Sequence, residues 1–158
     1  MDDNIDFSLM LHKHGWITFL INVDGVIHEI LVSSVLSSPV YDITNLLLAL
    51  LNNEDEISVN WFGEPDWSVI RVTRGHTERH ILSVEVGSCI DQQGSDYKKV
   101  VDFKIKFKQL LIILFYQLKK NYHLLTEKSF ANGREREFSY ELYNKLNKKI
   151  ETDFPGIL

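Results

Sequence analysis

Two runs of strand-forming residues, separated by only two residues, constrain the fold more than any other part of the sequence. Trp16–Val23 is rich in aromatic and β-branched residues, and 26–34 continues this composition after Asp24-Gly25. An Asp-Gly pair between two such runs is a strong hairpin signal, since Gly supplies the positive φ that a tight turn needs. The sequence therefore predicts an antiparallel pair here, because parallel strands need a much longer crossover.

A helix is predicted directly after this hairpin. Ser38 and Pro39 suit the N-cap and the first position of a helix. Four apolar residues then follow at helical spacing: Ile43, Leu46, Leu47 and Leu50. We expect the stripe that they form to pack on a sheet.

Four further segments have strand character; short turns join the first three, and the loop 88–96 precedes the last. They are 57–62, 67–73, 80–86 and 97–102. The first two alternate apolar and polar residues, which is the period of a half-buried strand. Hairpin-length connections again favour antiparallel pairing.

The C-terminal third is predicted to be mainly helical. Val101, Phe103, Ile105 and Phe107 alternate like a strand, but the apolar positions after Phe107 have only helical spacing. We therefore predict helices over 104–124 and 134–150. The order ββαβββ(β)αα predicts one α+β domain over residues 1–158, an antiparallel sheet of about five to six strands with helices packed on one face.

Charge is unevenly distributed along the chain. The formal net charge is −5, but residues 1–70 contain 11 acidic residues and a single basic one, Lys13, while residues 71–158 are net +5. An asymmetry of this kind indicates an interaction surface rather than a particular fold.

The single cysteine, Cys89, excludes an internal disulfide and is typical of a small buried apolar residue. The N-terminus is acidic rather than basic and apolar, and the longest apolar runs are far shorter than the ~18 residues that a membrane span needs. We expect a cytoplasmic protein without a membrane partner.

Motifs of the common enzyme classes are missing from the sequence, which has neither a Gly-rich phosphate loop nor a Gly-x-Ser-x-Gly elbow nor a Cys pair. His12 with His14 and His76 with His80 could bind a transition metal if the fold united them, but no carboxylate or Cys reinforces either pair. We expect no cofactor, no metal and no catalytic residue, and hence a protein that is not an enzyme.

Nucleic-acid binding is the function that the basic C-terminal half could suggest. Five lysines lie close together in the sequence: Lys98, Lys99, Lys104, Lys106 and Lys108. The interleaved aromatic residues occupy core-like positions, however, and the sequence pI of about 5.6 is far below that of a nucleic-acid-binding domain. We expect no nucleic-acid partner.

Acidic residues cluster at the two ends of the predicted strand 57–62. They are Glu54, Asp55, Glu56, Glu64 and Asp66. A strand of this length spans about 20 Å, which is too far for one tight catalytic pair of carboxylates. The residues form either a solvated set of loop charges or an acidic surface that selects a basic partner.

Several short sequence words resemble a family of small bacterial proteins. They are Val32-Ser33-Ser34-Val35-Leu36-Ser37, Ile43-Thr44-Asn45-Leu46-Leu47, Val59-Asn60-Trp61-Phe62-Gly63-Glu64-Pro65, Val69-Ile70-Arg71-Val72 and, near the C-terminus, Phe154-Pro155. Proteins with this pattern resemble the immunity proteins of contact-dependent growth inhibition and other polymorphic toxin systems. The resemblance implies a small cytoplasmic protein that binds a cognate toxin domain, commonly a nuclease, and blocks its active or substrate-binding surface. It implies no catalytic residue.

The sequence thus predicts a toxin-neutralising binding protein whose partner has a basic surface. Candidate contact residues are the five acids together with an aromatic anchor, Trp61 or Trp67, because Trp is enriched at interface hot spots. A housekeeping or regulatory protein-interaction domain and, less favoured, a His-dependent metalloenzyme are the alternatives.

Overall fold

The protein folds into two antiparallel β-sheets and four α-helices within the residues described by the computed structural model, 4–134 and 138–157. The first sheet has the strand order β1-β2-β3, and the second has the order β4-β5-β6-β7. The strands are β1 (Ile5–Leu11), β2 (Trp16–Val23), β3 (Val26–Ser33), β4 (Glu56–Phe62), β5 (Trp67–Arg74), β6 (Ile81–Cys89) and β7 (Lys98–Lys106). The helices are α1 (Pro39–Leu51), α2 (Phe107–Leu124), the one-turn α3 (Lys128–Ala131) and α4 (Tyr140–Asp153).

The α+β class is confirmed, but the single sheet of five to six strands is wrong. Seven strands form two sheets, and the additional strand is β1. It alternates buried Ile5, Phe7, Leu9 and Leu11 with exposed or half-buried residues, and it pairs along its whole length with β2. The sequence shows this alternation, but the predicted strand order did not include it.

The hairpin between β2 and β3 is confirmed. Val23 pairs with Val26, and the turn between them has positive φ at both Asp24 (52°) and Gly25 (86°). This is the geometry of a type I′ turn, which matches the twist of the flanking strands. Asn22 stabilises the turn, since its side-chain Oδ1 accepts a hydrogen bond from the Gly25 N–H at 2.9 Å.

Helix α1 begins as the sequence predicts, with Ser38 at the N-cap and Pro39 at the first position. The stripe of Ile43, Leu46, Leu47 and Leu50 is buried. It packs into a core that also contains residues from both sheets, α2 and α4.

Helix α2 begins later than the predicted residue 104. Strand β7 continues to Lys106, because Lys104 pairs with Ser83 and Ile105 pairs with Leu82 on β6. The alternating pattern is therefore the correct interpretation up to Lys106, and the helical pattern applies from Phe107. The pairing with β6 decides between the two periods, and local sequence alone does not contain that information.

The predicted helix 134–150 begins at Tyr140 instead, after Phe138 and Ser139. Residues 135–137 of that prediction lie outside the described residues. The predicted connection 126–133 contains the short helix α3.

Aromatic contacts join the two sheets across one core. The ring of Phe19 on β2 packs edge-on against the indole of Trp61 on β4, with 5.4 Å between ring centres. The ring centres of Phe7 on β1 and Phe103 on β7 are 6.0 Å apart. Aromatic pairs of this kind add about 0.5–1.5 kcal/mol each beyond the area that they bury. No helix among the described residues is long and apolar enough to cross a membrane.

Candidate partner-binding surface

The five acidic residues form two separate groups at opposite ends of β4. The upstream acids are Glu54, Asp55 and Glu56, and the downstream acids are Glu64 and Asp66; all five residues are exposed. Strand β4 has seven residues, so the two groups lie about 20 Å apart along it. The structure therefore does not unite the five residues into one cluster.

Two of the upstream acids, Glu54 and Asp55, contact arginines. Asp55 Oδ1 forms an ion pair with Arg79 Nη2 at 2.8 Å, and the Asp55 carbonyl accepts a hydrogen bond from the Arg74 backbone N–H at 2.7 Å. The Arg74 side chain also reaches the Glu54 carbonyl, at 3.5 Å. Nearby cations thus offset part of the negative charge of this group.

Arg74 is itself an unusual residue, since its side chain enters the interior and only 4% of the residue is exposed. Its guanidinium donates hydrogen bonds to the carbonyls of Leu50 at 2.7 Å and Arg79 at 2.8 Å. It also lies 4.9 Å from the centre of the Phe107 ring. Desolvation by burial, followed by repulsion from Arg79, lowers the pKa of Arg74. Arg74 fixes the C-terminal turn of α1 to the turn between β5 and β6.

The downstream acids lie on the tight turn between β4 and β5. The turn contains a cis Glu64-Pro65 peptide bond and a positive φ of 45° at Glu64, and it is closed by a hydrogen bond from the Gly63 N–H to the Asp66 carbonyl at 2.8 Å. Within the described residues, no basic side chain forms an ion pair with the carboxylate of Glu64 or Asp66. These two carboxylates are therefore open to an external cation.

The two candidate tryptophans have different environments. Trp61 is 1% exposed, and its indole N–H donates a hydrogen bond to Asp42 Oδ2 at 3.0 Å. It has no surface to offer a partner. Trp67 is half-buried and lies 5.2 Å from the Phe62 ring, directly after the downstream acids. Of the two, only Trp67 can contact another molecule in this conformation.

Burial also affects the carboxyl group that Trp61 contacts. Desolvation raises the pKa of Asp42, and the hydrogen bonds from Trp61 and from the Ser38 backbone oppose that rise. Asp42, in the first turn of α1, therefore accepts the hydrogen bond of a buried indole N–H.

A surface that the sequence analysis missed lies next to the downstream acids. Strand β3 and the turn after it expose five apolar residues: Val26, Ile27, Leu31, Val35 and Leu36. Ile27 and Leu31 share one face of β3, whereas Val26 lies on the other. The apolar surface formed by Ile27 and Leu31 adjoins Gly63, since a Cβ placed there would lie 2.6 Å from the Leu31 carbonyl oxygen. Its sequence signal is weak, because an apolar residue on a predicted strand is normally assigned to the core.

Among residues 4–134 and 138–157, the histidines show no metal-binding arrangement. His12 Nε2 is hydrogen-bonded to Thr18 Oγ1 at 2.9 Å, while His14, His76 and His80 are exposed. No group of three or more His, Cys, Asp or Glu side chains in the described part of the chain could hold a metal ion.

The aromatic residues among the lysines do not form an open stacking surface. Phe103 is buried, Phe107 packs against Phe154, and the Tyr97 ring lies against the Arg71 guanidinium at 4.7 Å. The Tyr97 hydroxyl donates a hydrogen bond to Glu85 Oε1 at 2.7 Å, and the ring occupies the space above Gly87. Tyr97 thus fastens the loop between β6 and β7 to the outer face of the second sheet.

Comparison of the chain with protein-family models, with curated proteins and with solved structures found no match.

Proposed function

We propose that the protein is an immunity protein that binds a cognate bacterial toxin domain, a nuclease, and covers its active or substrate-binding surface. The observation that carries the proposal is the pair of exposed downstream acids, Glu64 and Asp66, which have no ion-pair partner among the described residues and lie beside the half-buried Trp67. A nuclease that binds the nucleic-acid backbone presents a basic surface, and these groups are complementary to it.

Long-range charge supports the same mechanism. Residues 1–70 carry a formal net charge of −10, with Lys13 as their only basic residue. A surface of one sign attracts a partner of the other sign and speeds encounter, whereas the contact itself depends on a few well-packed residues. Trp67 supplies apolar area for such a contact, and the downstream acids set the orientation.

The test uses the toxin domain encoded next to the gene for this protein. We expect the protein to bind that domain, to inhibit its nuclease activity and to protect cells that express it. The double variant Glu64→Lys, Asp66→Lys should slow association by roughly tenfold at low salt, because rim charges act mainly on the association rate. High salt should reduce the difference.

The matched control is the double variant Glu54→Lys, Glu56→Lys, which makes the same change of net charge at the other end of β4. Its effect on association should be smaller, because Arg74 and Arg79 already offset charge there. A neighbouring toxin that the protein neither binds nor inhibits would overturn the proposal, as would the absence of any toxin gene together with binding to a product of a metabolic or regulatory operon.

A further inference from the structure

The two sheets have four edge strands, and three of them are protected against pairing with another chain. On β1, the Leu9 N–H donates to Gln117 Oε1 at 3.1 Å, and the Leu9 carbonyl accepts hydrogen bonds from Lys120 Nζ at 2.9 Å and Asn121 Nδ2 at 3.2 Å. Side chains of α2 thus occupy the N–H and C=O groups of Leu9, which another strand would use.

The edge strands of the second sheet are protected by polar and charged residues. Strand β7 exposes four lysines, Lys98, Lys99, Lys104 and Lys106, and charged edge residues, Lys above all, discourage the addition of a strand. The exposed residues of β4 are all polar: Glu56, Ser58 and Asn60.

Strand β3 is covered at Leu31, whose carbonyl lies against Gly63, but it has no such protection at Ile27 and Glu29. The type I′ turn makes Val23 and Val26 a hydrogen-bonded pair, so the even-numbered residues of β3 bond to β2. The N–H and C=O groups of Ile27 and Glu29 therefore point away from β2. Within residues 4–134 and 138–157, no strand pairs with this edge and no backbone hydrogen bond reaches these groups.

The side chains along this edge define what it can accept. Ile27 is 64% exposed, Leu31 is 45% exposed, and Glu29 lies between them on the same face of the strand. Gly63 lies against the Leu31 carbonyl, so the turn that carries the exposed acid Glu64 adjoins this end of the edge. The complementary strand carries a Lys or Arg between two apolar residues, all on one face.

We propose that β3 receives an extended segment of the partner as an added antiparallel strand, with a basic residue of that segment opposite Glu29. The identity of this partner as the toxin rests on the proposed function. Backbone hydrogen bonds to Ile27 and Glu29 supply the pairing, and alternate side chains supply the specificity. The added strand extends the acidic contact at Glu64 onto the apolar surface of β3.

A second copy of this chain fits the edge less well. Symmetric pairing of β3 with itself, in the register that places Ile27 opposite Leu31, also places Glu29 opposite Glu29 of the other copy. Like charges directly opposite one another destabilise a sheet. In the neighbouring symmetric register, His28 lies opposite His28 of the other copy. Ile27 then lies opposite Glu29, so an apolar side chain faces a carboxylate.

The probe for this proposal is the end-blocked peptide Thr-Val-Thr-Lys-Thr-Val-Thr, which places its two Val and its Lys on one face. We expect it to bind, and replacement of its Lys by Glu should weaken binding by roughly two- to tenfold, since cross-strand charge pairs are modest in strength. The protein variant Glu29→Lys should reverse this preference. The control variant Glu56→Lys, which has the same charge change on β4, should leave it unaltered.

Two further measurements separate backbone pairing from simple side-chain contact. N-methylation of the peptide at its Lys and its second Val should abolish binding, because those N–H groups face the backbone of Glu29 and Ile27, whereas N-methylation at the two central Thr residues should not. Hydrogen exchange of the Ile27 and Glu29 amides should slow on binding, while the His28 and Ile30 amides, already bonded to β2, change little.

Strand addition is overturned if the peptide does not bind, if both N-methylated peptides bind equally, or if the Ile27 and Glu29 amides gain no protection. These experiments use no toxin, so their failure is distinct from failure of the proposed function. A toxin that binds and is inhibited through the downstream acids, without protection of the Ile27 and Glu29 amides, overturns strand addition alone.

Discussion

At the scale of single residues, Arg74 shows how a buried charge can organise backbone rather than pair with an acid. Its guanidinium donates hydrogen bonds to the carbonyls of Leu50 and Arg79, which lie in different segments of the chain. We expect Arg74→Met to lower the free energy of unfolding by about 2–4 kcal/mol, since buried acceptors lose charge-assisted hydrogen bonds. Urea unfolding measures the change. Arg79→Met, which removes an exposed ion pair with Asp55, should cost less than about 1 kcal/mol; equal losses would contradict this role of Arg74.

The ionisation of Tyr97 should make the stability of the fold depend on pH in the alkaline range. Desolvation, and then the hydrogen bond to Glu85, raise the pKa of Tyr97 from 10.0 to about 12. A group whose pKa is higher in the folded state stabilises the fold fully below its unfolded pKa and loses that contribution as pH rises through the folded one. The stability difference between wild type and Tyr97→Phe should therefore be constant below pH 10 and shrink between pH 10 and about 12. Denaturant unfolding at several pH values checks this; a difference that is independent of pH over this range would contradict it.

At the scale of elements, two glycines are required for different physical reasons. Gly25 has a φ of 86° and open space around it, so Gly25→Ala should cost about 1 kcal/mol, the price of a left-handed conformation. Gly63 has no such φ, but a Cβ there would lie 2.6 Å from a backbone oxygen of β3, which cannot rotate away. We expect Gly63→Ala to cost about 1–3 kcal/mol, as overpacking does. Urea unfolding of both variants gives the comparison, and a Gly63→Ala protein as stable as the wild type would show that β4 can move away from β3.

These elements also show what the sequence could and could not predict. The β2–β3 hairpin and α1 were predictable because Asp24-Gly25 and Ser38-Pro39 act within their own segments. The start of α2 was not, since residues around Phe107 satisfy both periods and pairing with β6 decides between them. The candidate site was predictable in part. The acids could be placed on turns, but the depth of Trp61 and the open edge at Ile27 depend on how separate segments meet.

At the scale of the whole molecule, the shared aromatic core makes the two sheets depend on each other. Phe19 and Phe7 of the first sheet contact Trp61 and Phe103 of the second, and α1, α2 and α4 contribute to the same core. Neither sheet can bury its inner face alone, so loss of one should expose the other. The surface that we propose for the partner spans both sheets, from Ile27 to Glu64, and its geometry holds only while they remain together.

This dependence predicts a single cooperative unfolding transition. Denaturation curves followed by tryptophan fluorescence and by far-ultraviolet circular dichroism should coincide. Phe7→Leu in the first sheet and Val84→Ala in the second should each move both curves together, by about 1–3 kcal/mol in the free energy of unfolding. Phe7 and Val84 are both buried in the common core. If Phe7→Leu instead split the dichroism curve into two steps, only one of which moved, the sheets would be separate folding units. The proposed surface would then be a junction between two bodies.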